Sequence, residues 1–472
     1  MGSIRRYIIV SLFAFAGLAS LVAWMATDPT RDFTASMPGA DNRGIEVAVE
    51  ENIVIGEFFA LFENDVVGGY TGKWPRFRGV NYDNIVTERQ DIKDSWSDAD
   101  PEIRWTIELG EGHAGAAIYE GRVYILDYIE ESREDALRCF SLSDGEELWR
   151  RSYGVHIKRN HGMSRTVPAV TERYVVTIGP RCQVMCVDRI NGDFIWGLDM
   201  AKQYGVEVPQ WYTAQCPLID GDKAILAPGG SSVAMIAVDL NTGEILWEAP
   251  NNIELSMSHS SIIPGIIHGK RMYVYSADGG IVAVGAEGDD EGKIMWESKV
   301  WNHSVVAPSP VILDDGKIFL TAGYGAGSMM IQVTPDGDGY NVESLVEYAP
   351  REGLACEQQT PILWNGHLFG IIPKDGGANR SQLVCVSPDN VQNLIWSSGT
   401  VRFGLGPYII AEDKMYILSD DGTLVMVRPD TKSYIEIGRK KLFDGTDAWA
   451  PLAIADGLML LRDSKTMLCV DI

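Results

Sequence analysis

The feature that most limits what this chain can fold into is a turn that recurs. In Asn241-Thr242-Gly243-Glu244-Ile245-Leu246-Trp247 the glycine is free to take the positive φ of a tight turn. An apolar run, residues 235–240, leads in, and Trp247 closes the outgoing strand with a ring that has to be buried. Related turns are Ser143-Asp144-Gly145-Glu146-Glu147-Leu148-Trp149, Asn191-Gly192-Asp193-Phe194-Ile195-Trp196 and Glu291-Gly292-Lys293-Ile294-Met295-Trp296, with a degraded version ending at Trp396. Before each turn stands an apolar strand entered through a proline or a small residue. It occurs as Ala116-Ala117-Ile118-Tyr119, Pro168-Ala169-Val170, Pro217-Leu218-Ile219 and Ile263-Pro264-Gly265-Ile266. It returns as Pro310-Val311-Ile312, Pro361-Ile362-Leu363, Pro407-Tyr408-Ile409 and Pro451-Leu452-Ala453. A period of about 44 to 51 residues is that of four-stranded propeller blades.

The eighth copy ends at Ile472 without room for an outermost strand, while Ile103-Arg104-Trp105-Thr106-Ile107-Glu108-Leu109 is a strand that no copy claims. It is predicted to complete the last blade and so remove a free sheet edge. The expected fold is all-β, an eight-bladed propeller of four-stranded antiparallel blades closed by an N-terminal strand and preceded by one transmembrane helix.

That helix is read from residues 7–26, which carry no charge and as a helix span roughly the 30 Å hydrocarbon core. Arg5 and Arg6 precede it, so residues 1–6 stay in the cytoplasm and the rest is exported. The alternative is a signal peptide cleaved near Gly17-Leu18-Ala19; Trp24 and Met25 make a later cleavage site unattractive. Either way the propeller lies in the cell envelope on the periplasmic side, with the inner membrane as the expected anchor. The 65 acidic residues against 40 basic ones, a net charge of −25, exclude nucleic acid as a partner, which needs a basic face.

Seven cysteines in an oxidising compartment suggest disulfides, yet Cys139, Cys186, Cys385 and Cys469 share one strand position with Ala237, Ala283 and Met426. They read as small buried fillers of a repeated slot. The spacing of Cys182, Cys216 and Cys356 assigns no pairing, and without Cys-x-x-Cys-His no c-type haem is attached.

Residues 27–72 form a strap: a polar, flexible spacer over 28–42, then alternating Ile45, Val47 and Val49, then Phe58, Phe59, Leu61 and Phe62 among acids. It is expected to pack on the propeller, with a partner-binding surface as the alternative. Residues 73–472 form the propeller, opened by Trp74-Pro75-Arg76-Phe77-Arg78-Gly79-Val80-Asn81, a segment suited to clamp across blade ends with its arginines capping carbonyls or pairing with acids.

This opening motif, Asn160-His161-Gly162-Met163-Ser164-Arg165, the turn Ala227-Pro228-Gly229-Gly230 and the repeated Gly-x-x-x-Trp turns resemble the bacterial PQQ-like β-propeller repeat proteins. Those belong to the quinoprotein alcohol dehydrogenase-like superfamily, and the resemblance covers residues 73–472. It implies the fold and leaves two activities open, since the superfamily holds dehydrogenases and non-catalytic scaffolds such as the BamB outer-membrane assembly factor.

Segments entering the innermost strands line a propeller's channel. Here they carry His113, His161, Arg165, Trp211, Gln215, His259, His303, Gln358, Gln359, Arg402 and Trp449. Guanidinium, imidazole and indole groups around a channel suit an anionic aromatic ligand, held by charge, hydrogen bonds and stacking. The alternative, which we favour, is that they bond to one another, to strand-end carbonyls and to water. No His-x-x-x-His pair supports a metal.

The family's PQQ dehydrogenases use an adjacent cysteine pair, a calcium ion held by carboxylate and amide, and an aspartate base. This chain has no Cys-Cys; Cys182 and Cys186 are separated by three residues, and Asn341 breaks the calcium-loop likeness of Asp336-Gly337-Asp338-Gly339. No catalytic residue is assigned. The expected function is a membrane-anchored, extracytoplasmic scaffold binding other envelope or membrane proteins, without a cofactor. The alternatives are a PQQ- and calcium-dependent dehydrogenase, with Arg165 and Arg402 on the carboxylates and Trp211 or Trp449 stacking, or a small-ligand sensor.

Overall fold

The computed structural model describes residues 2–26, 52–66, 68–90, 92–97, 100–445 and 447–472. It falls into two units, Met1–Asn52 and Ile53–Ile472. The first holds one helix, Gly2–Ala26. Among the described residues no helix is long and apolar enough to cross a membrane. The spacer over 28–42 and the alternation at Ile45, Val47 and Val49 lie outside the described residues.

The second unit is a ring of eight antiparallel sheets. Blade 3 shows the plan: Leu218–Asp220, Lys223–Leu226, Val233–Asp239 and Ile245–Pro250 follow in sequence from the inside outward. The ring closes as expected. Glu102–Glu108 pairs antiparallel with Thr466–Asp471, putting Trp105 opposite Cys469 as the outermost strand of blade 8.

The recurring turn fastens one blade to the next. Asp239 accepts from the Asn241 and Thr242 amides at 2.8 and 2.9 Å, and Gly243 follows at φ 75°. Trp196 of the preceding blade lies against that glycine, where a Cβ would fall 2.7 Å from it. Its indole N–H donates to the Leu240 carbonyl at 2.9 Å. Trp105 sits likewise on Gly145 with its N–H on Leu142, and Trp149 on Gly192 with its N–H on Ile190. Trp247 covers Gly292 and donates to the Glu291 carboxylate, and Trp396 donates to the Asp430 carbonyl. Trp296 departs from the rule: it is buried, but its indole nitrogen has no partner. Blade 5 there extends its outer hairpin, Gly327–Asp336 and Gly339–Tyr348, so the Asp336–Gly339 turn is a hairpin tip.

The repeated cysteine slot is the position facing these rings. Cys139, Cys186, Cys385 and Cys469 pair with Trp149, Trp196, Trp396 and Trp105, and Ala237 and Ala283 with Trp247 and Trp296. All seven cysteines are free and buried, and burial pushes the Cys139 and Cys469 thiols up to about 12.

The opening segment runs across the face that carries the turns between first and second strands. Lys73–Trp74 pairs with blade 1, the Pro75 carbonyl accepts from Val170 of blade 2, and Arg76 donates to the Ile219 carbonyl of blade 3 at 3.1 Å. Ile85–Val86 then adds parallel to blade 7, and Gln90 bonds Glu412 and Gly457. Arg76 caps a carbonyl as expected. Arg78 is buried with its Nε unpartnered, and burial brings its guanidinium down to about 10. The strap contributes Phe58–Leu61, which pairs with the outermost strand of blade 1.

Candidate functional site

Each blade's first strand enters from one face, and the loops between second and third strands return to it. A cavity of about 310 Å³ opens there. Every blade supplies lining through its entering segment, among them His113, Arg165, Trp211, His259, Val305, Gln358, Leu405 and Trp449 in chain order. The opening segment reaches the same cavity with Phe77.

The wall at blades 1 and 2 is built by backbone zipping. His113 donates its amide to the Ser164 carbonyl at 2.7 Å and Met163 to Glu111 at 2.9 Å. His161 and Gly162 turn the chain at positive φ (51° and 83°). Arg165 braces that turn: Nε donates to the Trp211 carbonyl at 2.6 Å, and Nη2 to the carbonyls of Asn160 and His161 at 3.0 and 2.6 Å. No carboxylate pairs with it among the described residues. Burial brings its guanidinium down to about 10, so it is a cation at neutral pH, bound only by dipoles.

Rings make up much of the remaining wall. Trp211 stacks on Tyr324 at 5.4 Å and 17°, and His259 lies 6.0 Å from Trp211. His113 lies 5.0 Å from Trp449, whose indole N–H is held by Asp420 at 2.8 Å and whose face is 5.6 Å from the Lys374 ammonium. Burial, then the Arg165 charge, lowers His113 to about 3 and His259 to about 4, so both imidazoles are neutral at pH 7. Nδ1 of His113 and both ring nitrogens of His259 are buried without a hydrogen-bond partner. Burial raises the Glu357 carboxyl above its ordinary range.

Of the residues singled out in the sequence, His161, Arg165, Trp211, His259, Gln358 and Trp449 line the cavity, with His113 and Gln359. Gln215 does not. It is fully buried, and its amide closes on the Ala227 backbone at 3.0 Å on both sides and on the Tyr275 hydroxyl at 3.1 Å. His303 packs edge-on against Trp301 at 4.3 Å, and Arg402 is exposed and donates to the Ala378 and Arg380 carbonyls. Tyr324 and Lys374 escaped the sequence because they sit in loops between second and third strands, which reach the same face as the entering segments.

A second hollow, of about 580 Å³, lies on the opposite face beside Lys73, Arg76, Asp220 and Arg271. Its cations are already engaged: Arg271 pairs with Asp220 at 2.5 Å, Lys73 with Glu120 at 3.0 Å, and Arg76 donates to the Ile219 carbonyl at 3.1 Å.

The cavity's donors fit a calcium-bound quinone poorly. A hard cation takes six to eight oxygens, several of them carboxylate, and the wall offers one carboxylate, Glu357, whose charged form burial disfavours. Among the described residues no cluster of three His, Cys, Asp or Glu is arranged to hold a metal. Arg165 and the stacked rings do suit a planar anion.

A family model described as "Outer membrane protein assembly factor BamB" matches residues 85–249 and 229–338. No curated protein sequence matches the chain. Among solved structures it is similar to a europium-containing methanol dehydrogenase, at 10% identity and TM-score 0.59 over 83% of this chain and 89% of that one. It is also similar to the quinohemoprotein alcohol dehydrogenase ADHIIG from Pseudomonas putida HK5, at 12% identity and TM-score 0.56, covering 85% and 80% of the two chains. BamB from Moraxella catarrhalis aligns over 79% of this chain and all of its own, at 11% identity and TM-score 0.49. At such identities the likeness is one of fold.

Proposed function

This chain belongs to the PQQ-like β-propeller family described as outer membrane protein assembly factor BamB, and from that premise we propose that it is a binding module of the bacterial envelope that holds other proteins. The match to an assembly-factor family over residues 85–338 carries this function. The poor fit of the cavity to a calcium-bound quinone favours it over alcohol or sugar oxidation. A closed ring is a rigid base from which loops and strand edges present a fixed surface. The uncharged residues 7–26, behind Arg5 and Arg6, have the pattern of an export segment, which sets the propeller on the periplasmic side. The test is affinity purification of the full chain from detergent-solubilised membranes. A stoichiometric protein partner is expected; recovery of the chain alone overturns the proposal.

One observation favours a second role. Three imidazole nitrogens at the cavity wall lack partners beside a guanidinium that no carboxylate neutralises among the described residues, which leaves polar capacity for a small planar anion stacked near Trp211, Tyr324 or Trp449. PQQ, with and without calcium, is the first probe. Saturable quenching of tryptophan fluorescence supports a ligand site, and its calcium dependence would revive the dehydrogenase.

A further inference from the structure

Seven of the eight blades end in an outermost strand that carries polar side chains: Asp199, Glu248, Glu297, Glu343, Gln392, Arg439 and Arg104 are examples, one from each. Blade 1 is different. Its own outer strand, Glu147–Gly154, is covered by Phe58–Leu61, which becomes the new edge. That strand reads Phe-Phe-Ala-Leu and is the only outermost strand without a polar side chain among the described residues.

Free edges in soluble proteins are protected by Lys, Pro or bulges, because an open row of N–H and C=O groups pairs with any strand that arrives. This edge has none of those devices. It stands in an apolar patch: Leu61 is 69% exposed, Val54 and Phe58 are also exposed, and Ile190 and Phe194 of blade 2 extend the patch. The patch is continuous, because Phe194 packs on Gly56 and Phe59 on Gly192. Exposed patches of this kind mark interaction sites.

The rim is acidic on balance. Glu57, Glu63 and Asp65 are exposed, and none has a cation partner among the described residues. Of the two nearby arginines, Arg150 is balanced by Glu147, and Arg151, held by the carbonyls of Gly56 and Gly192, offsets one of the three acids. Resting on the scaffold function above, we infer that Phe58–Leu61 is a docking edge that takes an extended segment of a partner protein as an added strand. The segment alternates apolar residues with Lys or Arg: the apolar side chains meet the patch, and the cations answer the acidic rim.

The test uses the full chain, with p-benzoyl-phenylalanine in place of Leu61, irradiated in the intact envelope, and the crosslinked peptide sequenced by mass spectrometry. The expected adduct is a segment of another protein in which Lys or Arg alternates with apolar residues. Its yield falls about tenfold in Phe58→Lys, a change that protects the edge, at an unaltered thermal midpoint. An adduct to residues 27–51 of the same chain, to a second copy or to an acidic segment, or no adduct, overturns the docking edge. A parallel label at Leu246, exposed on the outer strand of blade 3, separates the two proposals. Capture there but not at position 61 overturns the edge alone; capture at neither overturns the scaffold function as well.

Discussion

At the scale of single residues, Arg165 and Arg402 separate two kinds of arginine that the sequence presents alike. Both stand in segments entering an innermost strand. Arg165 faces the cavity and is held by backbone carbonyls, whereas Arg402 is exposed and outside it. Arg165→Gln is therefore expected to weaken a planar polyanion such as PQQ by about tenfold or more, the loss of a charge-assisted bond, while Arg402→Gln leaves it unchanged. Equal effects in a fluorescence titration would refute that placement. Periodicity locates a segment to within a few residues, but one residue of register turns a side chain from channel to core. Residues 211–217 precede the strand and follow no alternation, so the sequence did not show that Gln215 clasps Ala227 while Trp211 lines the wall. A second residue makes a pH prediction. Burial raises the Asp135 carboxyl to about 7, while its Oδ2 accepts from Tyr153 at 2.8 Å. The folded state thus favours the protonated acid, and this contribution to stability is complete below the ordinary carboxyl range and lost as pH rises through about 7. Asp135→Asn keeps an acceptor for Tyr153 and removes the ionisation. Its unfolding midpoint should gain on the parent's between pH 4 and 7, and a constant difference would count against a buried, proton-binding Asp135.

At the scale of the element, the repeat was legible because one local event, a glycine turn followed by tryptophan, does work between blades. The turn's glycine is required twice, by its positive φ and by the ring above it. Gly243→Ala meets both demands: φ 75° and Trp196 at 2.7 Å. Gly221→Ala meets only the first, since φ is 59° and nothing lies within 4 Å of a new Cβ. The second should cost about 1 kcal/mol and the first about 1–3 kcal/mol more, from overpacking. Urea midpoints that ranked the two equally would show that the ring yields. The same logic explains what the sequence hid. Trp296 carries the motif but loses its acceptor, because the next blade lengthens its outer hairpin and moves the turn away. A motif records the near side of a contact and says nothing of whether the far side has shifted.

At the scale of the molecule, closure was readable from a deficit, a last copy one strand short and a strand without an owner, because a ring leaves no blade free to end early. What closes it is Trp105, which faces Cys469 in blade 8 and reaches Gly145 and the Leu142 carbonyl in blade 1. It makes the same contact as Trp247 makes between blades 3 and 4, but the chain runs continuously from blade 3 to blade 4, whereas the termini meet only at Trp105's blade. Trp105→Ala should therefore cost about 3–5 kcal/mol, as for a buried aromatic, and the loss should spread. Amide exchange should rise through Leu458–Arg462 and Thr466–Asp471 and in the facing strands of blade 1. Trp247→Ala, at a ring that is half-buried, should raise exchange only beside blades 3 and 4. If both variants stayed local, the opening segment, which already ties blades 1, 2, 3, 7 and 8 across the opposite face, would be the true closure and Trp105 only its neighbour.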